Sequence, residues 1–135
     1  MNKLTKELLN YIGLDEEDLE SKIDDVTELN NSTYFCYDGC CSSAGIFELT
    51  KENLRNQIRP SESVYRGRLQ YLRRQIGKKF KDFTLEDWLK LLELHNNRPS
   101  RSLCGSLFSC GGDQSDDWEI VEIDGKKYLK YYSEC

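Results

Sequence analysis

Three cysteines fall within six positions in "YFCYDGCCSSAG", as Cys36, Cys40 and Cys41, and three more follow far downstream: Cys104 and Cys110 in "SLCGSLFSCGGD", then Cys135. Cysteines that share a metal or a bond oblige distant segments to meet, so this pattern constrains the fold more than any periodicity does. The compartment decides which chemistry applies. The start, "MNKLTKELLNYIGLDEED", lacks the roughly 7–15-residue apolar run of a signal peptide, and no stretch approaches the ~20 apolar residues of a membrane span. The expectation is a cytoplasmic protein with no membrane partner. Disulfides rarely persist in a reducing compartment, so clustered cysteines read first as metal ligands.

Zinc takes four ligands at tetrahedral corners, commonly as two close pairs from separate segments. Cys36 and Cys40 bracket a Tyr-Asp-Gly turn, and Cys104 and Cys110 bracket a glycine-containing loop. These four are the predicted quartet for one structural zinc. Cys41 competes with Cys40, because adjacent residues rarely both point inward, and His95 and Cys135 are further candidate ligands. Thiols without metal, or disulfides, are the alternatives. The expected site is closed, because a catalytic zinc keeps an open position and usually has histidine or carboxylate ligands, and the chain has one histidine.

Along the chain, Leu4, Leu8, Leu9 and Ile12 share one helical face, and Gly13 supplies a stop. Asp15 can cap a second helix through "EEDLESKIDDVTELN", where Leu19, Ile23, Val26 and Leu29 recur at three- and four-residue spacing. "STYFCYDG" is β-rich and reads as a strand or extended arm. Thr50 caps "KENLRNQI", which stops before Pro60. Ser61 or Ser63 opens "SVYRGRLQYLRRQIGKKF", with Val64, Leu69, Leu72 and Ile76 on its apolar side and Gly67 weakening the helix. Thr84, with Asp87 three residues on, caps "LEDWLKLLELHNN", whose Trp88, Leu89 and Leu92 predict the main core helix. "WEIVEI" and "KKYLKYY" flank Asp124-Gly125, the strongest short hairpin signal. A two-residue turn there sets Glu122 opposite Lys127, Glu119 opposite Lys130 and Trp118 opposite Tyr131.

The expected fold class is therefore α+β: a mainly helical body of four or five helices, a C-terminal β-hairpin and a cysteine-rich structural metal site. One domain covers 1–135, with the helical part over about 1–97, a cysteine arm at 32–45, a cysteine loop at 98–117 and the hairpin at 118–132. The two cysteine segments are expected to meet beside the Trp88 helix. Charged residues make up 32% of the chain and apolar ones 38%, which predicts a modest core that a metal staple would support.

Enzyme signatures do not accumulate. "WLKLLELHNNRPSRSLCG" glances at an HNH-type nuclease, but His95 alone cannot both activate water and hold a metal. A cysteine nucleophile at Cys40 or Cys41 would need His95 beside it. No Walker loop, dinucleotide glycine pattern or serine elbow occurs. Charge is segregated instead. Arg59, Arg66, Arg68, Arg73, Arg74, Lys78, Lys79 and Lys81 form a basic stretch interleaved with Tyr65 and Tyr71, and Asp15 to Glu28 is acidic. Arg66, Arg73, Arg74, Lys78 and Lys79, or Asp24 and Asp25, are the candidate partner-binding residues. The equally simple reading of both runs is a solvated face. The net charge of −5 opposes nonspecific nucleic-acid binding.

The arrangement "CYDGCC … CGSLFSC" on a small acidic body resembles the zinc-containing phage anti-CRISPR proteins that inhibit the RNA-guided type II CRISPR nuclease. The resemblance lies in architecture and composition across the chain and carries no residue over by position. It implies a stoichiometric, non-enzymatic protein inhibitor that blocks guide or target DNA loading, often through acidic surfaces set on the basic nucleic-acid channel. The alternative is a zinc-stabilised nucleic-acid-binding module using Arg66 to Lys81.

Overall fold

In a computed structural model of the chain, residues 2–37, 43–58, 63–97, 107–108 and 115–134 are described. Helix α1 (Lys3–Ile12) opens on Asn2, whose side chain accepts from the Thr5 backbone N–H, and ends at Gly13 with φ 77. That left-handed stop is the one the glycine promised. A single turn, α2 (Asp18–Ser21), then leads into strand β1 (Ile23–Leu29), and β2 (Ser32–Tyr37) and β3 (Ser43–Glu48) follow. Helices α3 (Lys51–Gln57), α4 (Ser63–Ile76) and α5 (Leu85–Asn96) precede the hairpin of β4 (Ser115–Ile123) and β5 (Lys126–Glu134).

The expected helical body with a lone C-terminal hairpin is corrected here. Five strands form one antiparallel sheet in the order β1-β2-β3-β5-β4, and the hairpin is its far side. The segment expected as a second long helix is helical for four residues and then becomes β1. Its three-residue spacing misleads for a physical reason. A regular strand would place Ile23 and Val26 on opposite faces. The ladder shifts register between Ile23 and Asp25, so one extra residue sits in the strand. That bulge returns Ile23 and Val26 to one face, and both pack in the same core. Asn30 and Asn31 then make a two-residue connection between paired Leu29 and Ser32, with Asn31 at φ 64. Asparagine is among the few residues that enter that region readily.

The second unanticipated strand is β3. Ala44, Gly45, Ile46 and Phe47 are all buried, so it shows no alternation of polar and apolar residues. Both faces of the sheet are covered. On one side α1 packs against β2, β3 and β5, and Leu8, Leu9, Phe35, Ala44, Ile46 and Tyr128 form a core. On the other, the α3–α5 layer encloses Phe47, Leu54, Leu72, Phe83, Trp88, Leu91, Leu92, Leu129 and Tyr131. Phe80 stacks on Trp88 there and Phe83 meets both rings edge-on, with centroids 4.8–5.5 Å apart. Leu107 and Phe108 also enter this second core. The hairpin register is the one its turn dictates: Trp118 pairs with Tyr131, Glu119 with Lys130 and Glu122 with Lys127.

Helix α5 starts in a reciprocal capping box. Thr84 Oγ1 accepts from the Asp87 N–H at 3.2 Å, and Asp87 accepts from the Thr84 N–H at 2.9 Å. Lys78 Nζ adds a charge-assisted bond to Asp87 at 2.9 Å. The Thr84 bond first, and the lysine next, hold the Asp87 carboxyl at about 2. A depressed carboxyl contributes stability above its ordinary value of 3.8, and that contribution disappears as pH falls through about 2. Asp87→Asn is therefore expected to melt below the wild type at pH 7, with the gap closing in the acid range. Thermal melts across that range check this, and a gap that stays constant to pH 2 contradicts it.

Candidate functional site

The predicted metal ligands divide between described and undescribed positions. Cys36 is exposed on β2, paired with Asp25 on one side and Ser43 on the other. Cys40, Cys41, Cys104, Cys110 and Cys135 lie outside the described residues. Among the described residues, no group of three or more His, Cys, Asp or Glu side chains is placed to hold a metal ion. The metal site expected as part of the fold class is thus not shown. His95 is not a surface side chain at a helix end. It is buried on α5, and its Nδ1 accepts from Arg68 Nε at 3.4 Å.

The basic stretch is brought together on and just after α4, but the helix uses part of it for itself. Arg73 Nη1 donates to the Lys78 carbonyl at 3.4 Å, beyond the helix C-terminus, and its Nε donates to Gln70. Lys78 is committed to Asp87. Both placements suit the negative end of the helix dipole. Arg74 and Lys79 are exposed. The backbone of Arg66 belongs to α4, and its side chain lies outside the description. Beside these cations, Tyr71 is 52% exposed, with the Arg68 guanidinium 5.3 Å from its ring centroid.

The acidic residues lie at the sheet edges. Asp24 and Asp25 sit at the bulge of edge strand β1 and are exposed. Charges and bulges at an edge prevent strand-to-strand association, which is a structural reason for acids at this position. The opposite edge strand, β4, "SDDWEIVEI", carries Asp116, Asp117, Glu119 and Glu122 and no base. Asp117, Glu119 and Glu122 are exposed, and Ile120 between them is 38% exposed.

At the start of β4 lies a cleft of about 510 Å³, lined among the described residues by Tyr11, Asn96, Asp117, Trp118 and Tyr132. It wraps the strand. Asp117 pairs with Tyr132 in one rung of the hairpin, and Trp118 with Tyr131 in the next. Helix α1 supplies Tyr11 and the end of α5 supplies Asn96. Beneath the cleft, Lys130 is nearly buried. It bonds Glu7 at 2.8 Å, lies 4.0 Å from Glu119 and sits 4.8 Å from the Tyr11 ring centroid. The Tyr11 phenol is raised to about 12, first by burial and then by the charges of Asp117 and Glu119. It therefore stays protonated at neutral pH. Among the described residues, no acceptor reaches the buried Trp118 indole N–H. Sequence reading missed this cleft. Its residues come from four places in the chain, and its one local signal is the Asp-Asp-Trp start of the hairpin.

No protein-family model matches the chain, and neither do the curated proteins or the solved structures compared with it. Among the described residues, no helix is long and apolar enough to cross a membrane.

Proposed function

We propose that the chain is a non-enzymatic protein-binding inhibitor that docks its acidic β4 edge on the basic nucleic-acid surface of a nuclease. The observation that carries this reading is strand β4 itself: nine residues at a sheet edge, four carboxylates and no base. Such an edge offers negative charge in the sign of a nucleic-acid backbone, on a rigid element braced by β5. Complementary potential of this kind steers association and selects partners. The resemblance of the sequence to anti-CRISPR proteins names the type II CRISPR nuclease as the candidate. In that role the chain competes with guide or target DNA for the channel.

A second reading, a nucleic-acid-binding module, draws support from the exposed Tyr71 with Arg68 against its face, since bases stack on such platforms. Less of the basic stretch is available to it than the sequence suggested, because Arg73 and Lys78 are engaged within the fold.

Equimolar addition of the chain to purified type II CRISPR nuclease, before and after guide and target loading, tests the first reading. Cleavage is expected to fall when the chain is added first. The chain alone is expected to show little nucleic-acid affinity. Unaffected cleavage overturns this reading. Direct nucleic-acid binding that weakens by about one log unit per log unit of salt for each phosphate contacted then favours the second.

A further inference from the structure

We propose that the outer edge of β4 is a strand-addition site, where an extended, basic segment of the protein partner pairs as a sixth strand. The proposal rests on the docking reading above and names the partner segment and the bonds that would hold it.

The hairpin backbone fixes which groups are on offer. A two-residue turn closes on a hydrogen-bonded pair, and bonded and non-bonded rungs then alternate. Ile123 with Lys126 closes the turn, so Glu122 with Lys127, Ile120 with Leu129 and Trp118 with Tyr131 are non-bonded rungs. The Lys127 carbonyl agrees: it points away from β4 and accepts from the Leu49 N–H at 2.8 Å. On the other side of these rungs, the N–H and C=O of Trp118, Ile120 and Glu122 point away from β5. Strand β4 is an outer strand of the sheet, and among the described residues none of these three bonds to backbone outside the hairpin.

Unpaired groups of this kind are a template for a further strand. Strand β1 blunts its edge with a bulge. Strand β4 does not: it pairs through nine successive rungs without a shift and contains neither proline nor glycine. What protects it is charge of one sign, from Asp116, Asp117, Glu119 and Glu122. That sign refuses a second copy of the chain, because β4 on β4 sets acid near acid, and the other edge strand, "IDDVTEL", is acidic too. A basic strand is not refused. Its side chains would lie about 4.8 Å from those of β4 and about twice as far from the lysines of β5, so the nearer carboxylates decide the sign. Asp117 and Glu119 also have contacts inside the chain. Backbone pairing therefore supplies the hold, and charge supplies the choice of partner.

The test uses the full chain labelled with ¹⁵N and a capped heptapeptide, acetyl-Lys-Val-Lys-Thr-Lys-Val-Lys-amide, with two twins. One twin is N-methylated on its three central residues, which keeps every charge and removes the donors in either register. The other has glutamate for lysine. The basic peptide is expected to bind saturably and to slow amide exchange at Trp118, Ile120 and Glu122. Glu119, Val121 and Ile123, already bonded to β5, are expected to gain no protection. Both twins are expected to bind at least about tenfold more weakly. Ile120→Pro removes one outward N–H and no bond to β5, a place where an edge strand accepts proline. It is expected to weaken the basic peptide by a similar factor while the hairpin signals persist. Equal binding by the N-methyl twin, no binding by the basic peptide, or protection without the alternation overturns strand addition. If it fails in this way while nuclease binding still depends on Glu119 and Glu122, the docking reading stands alone. Alternating protection in a chain that does not bind the nuclease supports strand addition and overturns the docking reading.

Discussion

Replacing Phe108 with alanine is expected to lower the stability of the fold by about 3–5 kcal/mol. The side chain is 5% exposed. Its ring stacks on Tyr131 with centroids 4.5 Å apart and an interplanar angle of 11°. Its neighbour Leu107 is completely buried in the same core. Alanine would leave a ring-sized void against a tyrosine that cannot follow, because Tyr131 is itself held on strand β5 beside Phe47. For a domain of this size each kcal/mol moves the melting temperature by roughly 3–4 °C, so a fall of about 10 °C or more is expected. Tyr71→Ala, at a half-exposed position, is the matched control and should stay within about 0.5 kcal/mol. A loss under 1 kcal/mol for Phe108→Ala would show that Leu107 and Phe108 do not plug the core.

Gly45→Val is expected to destabilise by about 1–3 kcal/mol, against the intrinsic preference of a strand for valine. Gly45 lies in β3 opposite Tyr131. A Cβ at this position would meet the tyrosine Cε1 at 2.6 Å and Cζ at 2.8 Å. The ring lies over the glycine and is pinned between Phe108 and Phe47, so the clash falls on groups with no room to retreat. The sign of the effect is therefore set by sterics. Urea unfolding of Gly45→Val, Tyr131→Ala and the double variant checks the mechanism. Removing the ring should relieve the clash, so the double variant should lose at least about 1 kcal/mol less than the two single losses added. Strict additivity would place the cost of the valine elsewhere.

The parts of this fold legible in the sequence are those specified locally. The Asp124-Gly125 turn sets the β4–β5 register rung by rung, and Thr84 with Asp87 marks the start of α5. Strands β1 and β3 were hidden for different reasons. In β1 the bulge at Asp24 converts a strand face into a helical spacing, although the β-branched Ile23, Val26 and Thr27 carried the opposite hint. Strand β3 is buried on both faces, so it lacks the polar–apolar alternation that marks a strand, and one of its two partners, β5, lies eighty or more residues away. The charges were legible and their placement was not. Asp24 and Asp25 guard a sheet edge rather than line a helix, and Arg73 and Lys78 finish α4 and cap α5. The cleft required the tertiary fold, because Tyr11, Asn96, Trp118 and Tyr132 share no sequence neighbourhood.

The docking face is decided by comparing two variants in one binding titration against the purified type II CRISPR nuclease. Glu119→Gln with Glu122→Gln neutralises the middle and end of β4 and leaves Lys130 bonded to Glu7. Arg74→Gln with Lys79→Gln neutralises two of the exposed cations at and after the end of α4. If β4 docks on a basic channel, the first pair weakens binding at least about tenfold and flattens its salt dependence, while the second stays within about threefold of the wild type. The opposite ranking, with the β4 pair neutral and the α4 pair weakened, would contradict docking through the acidic edge.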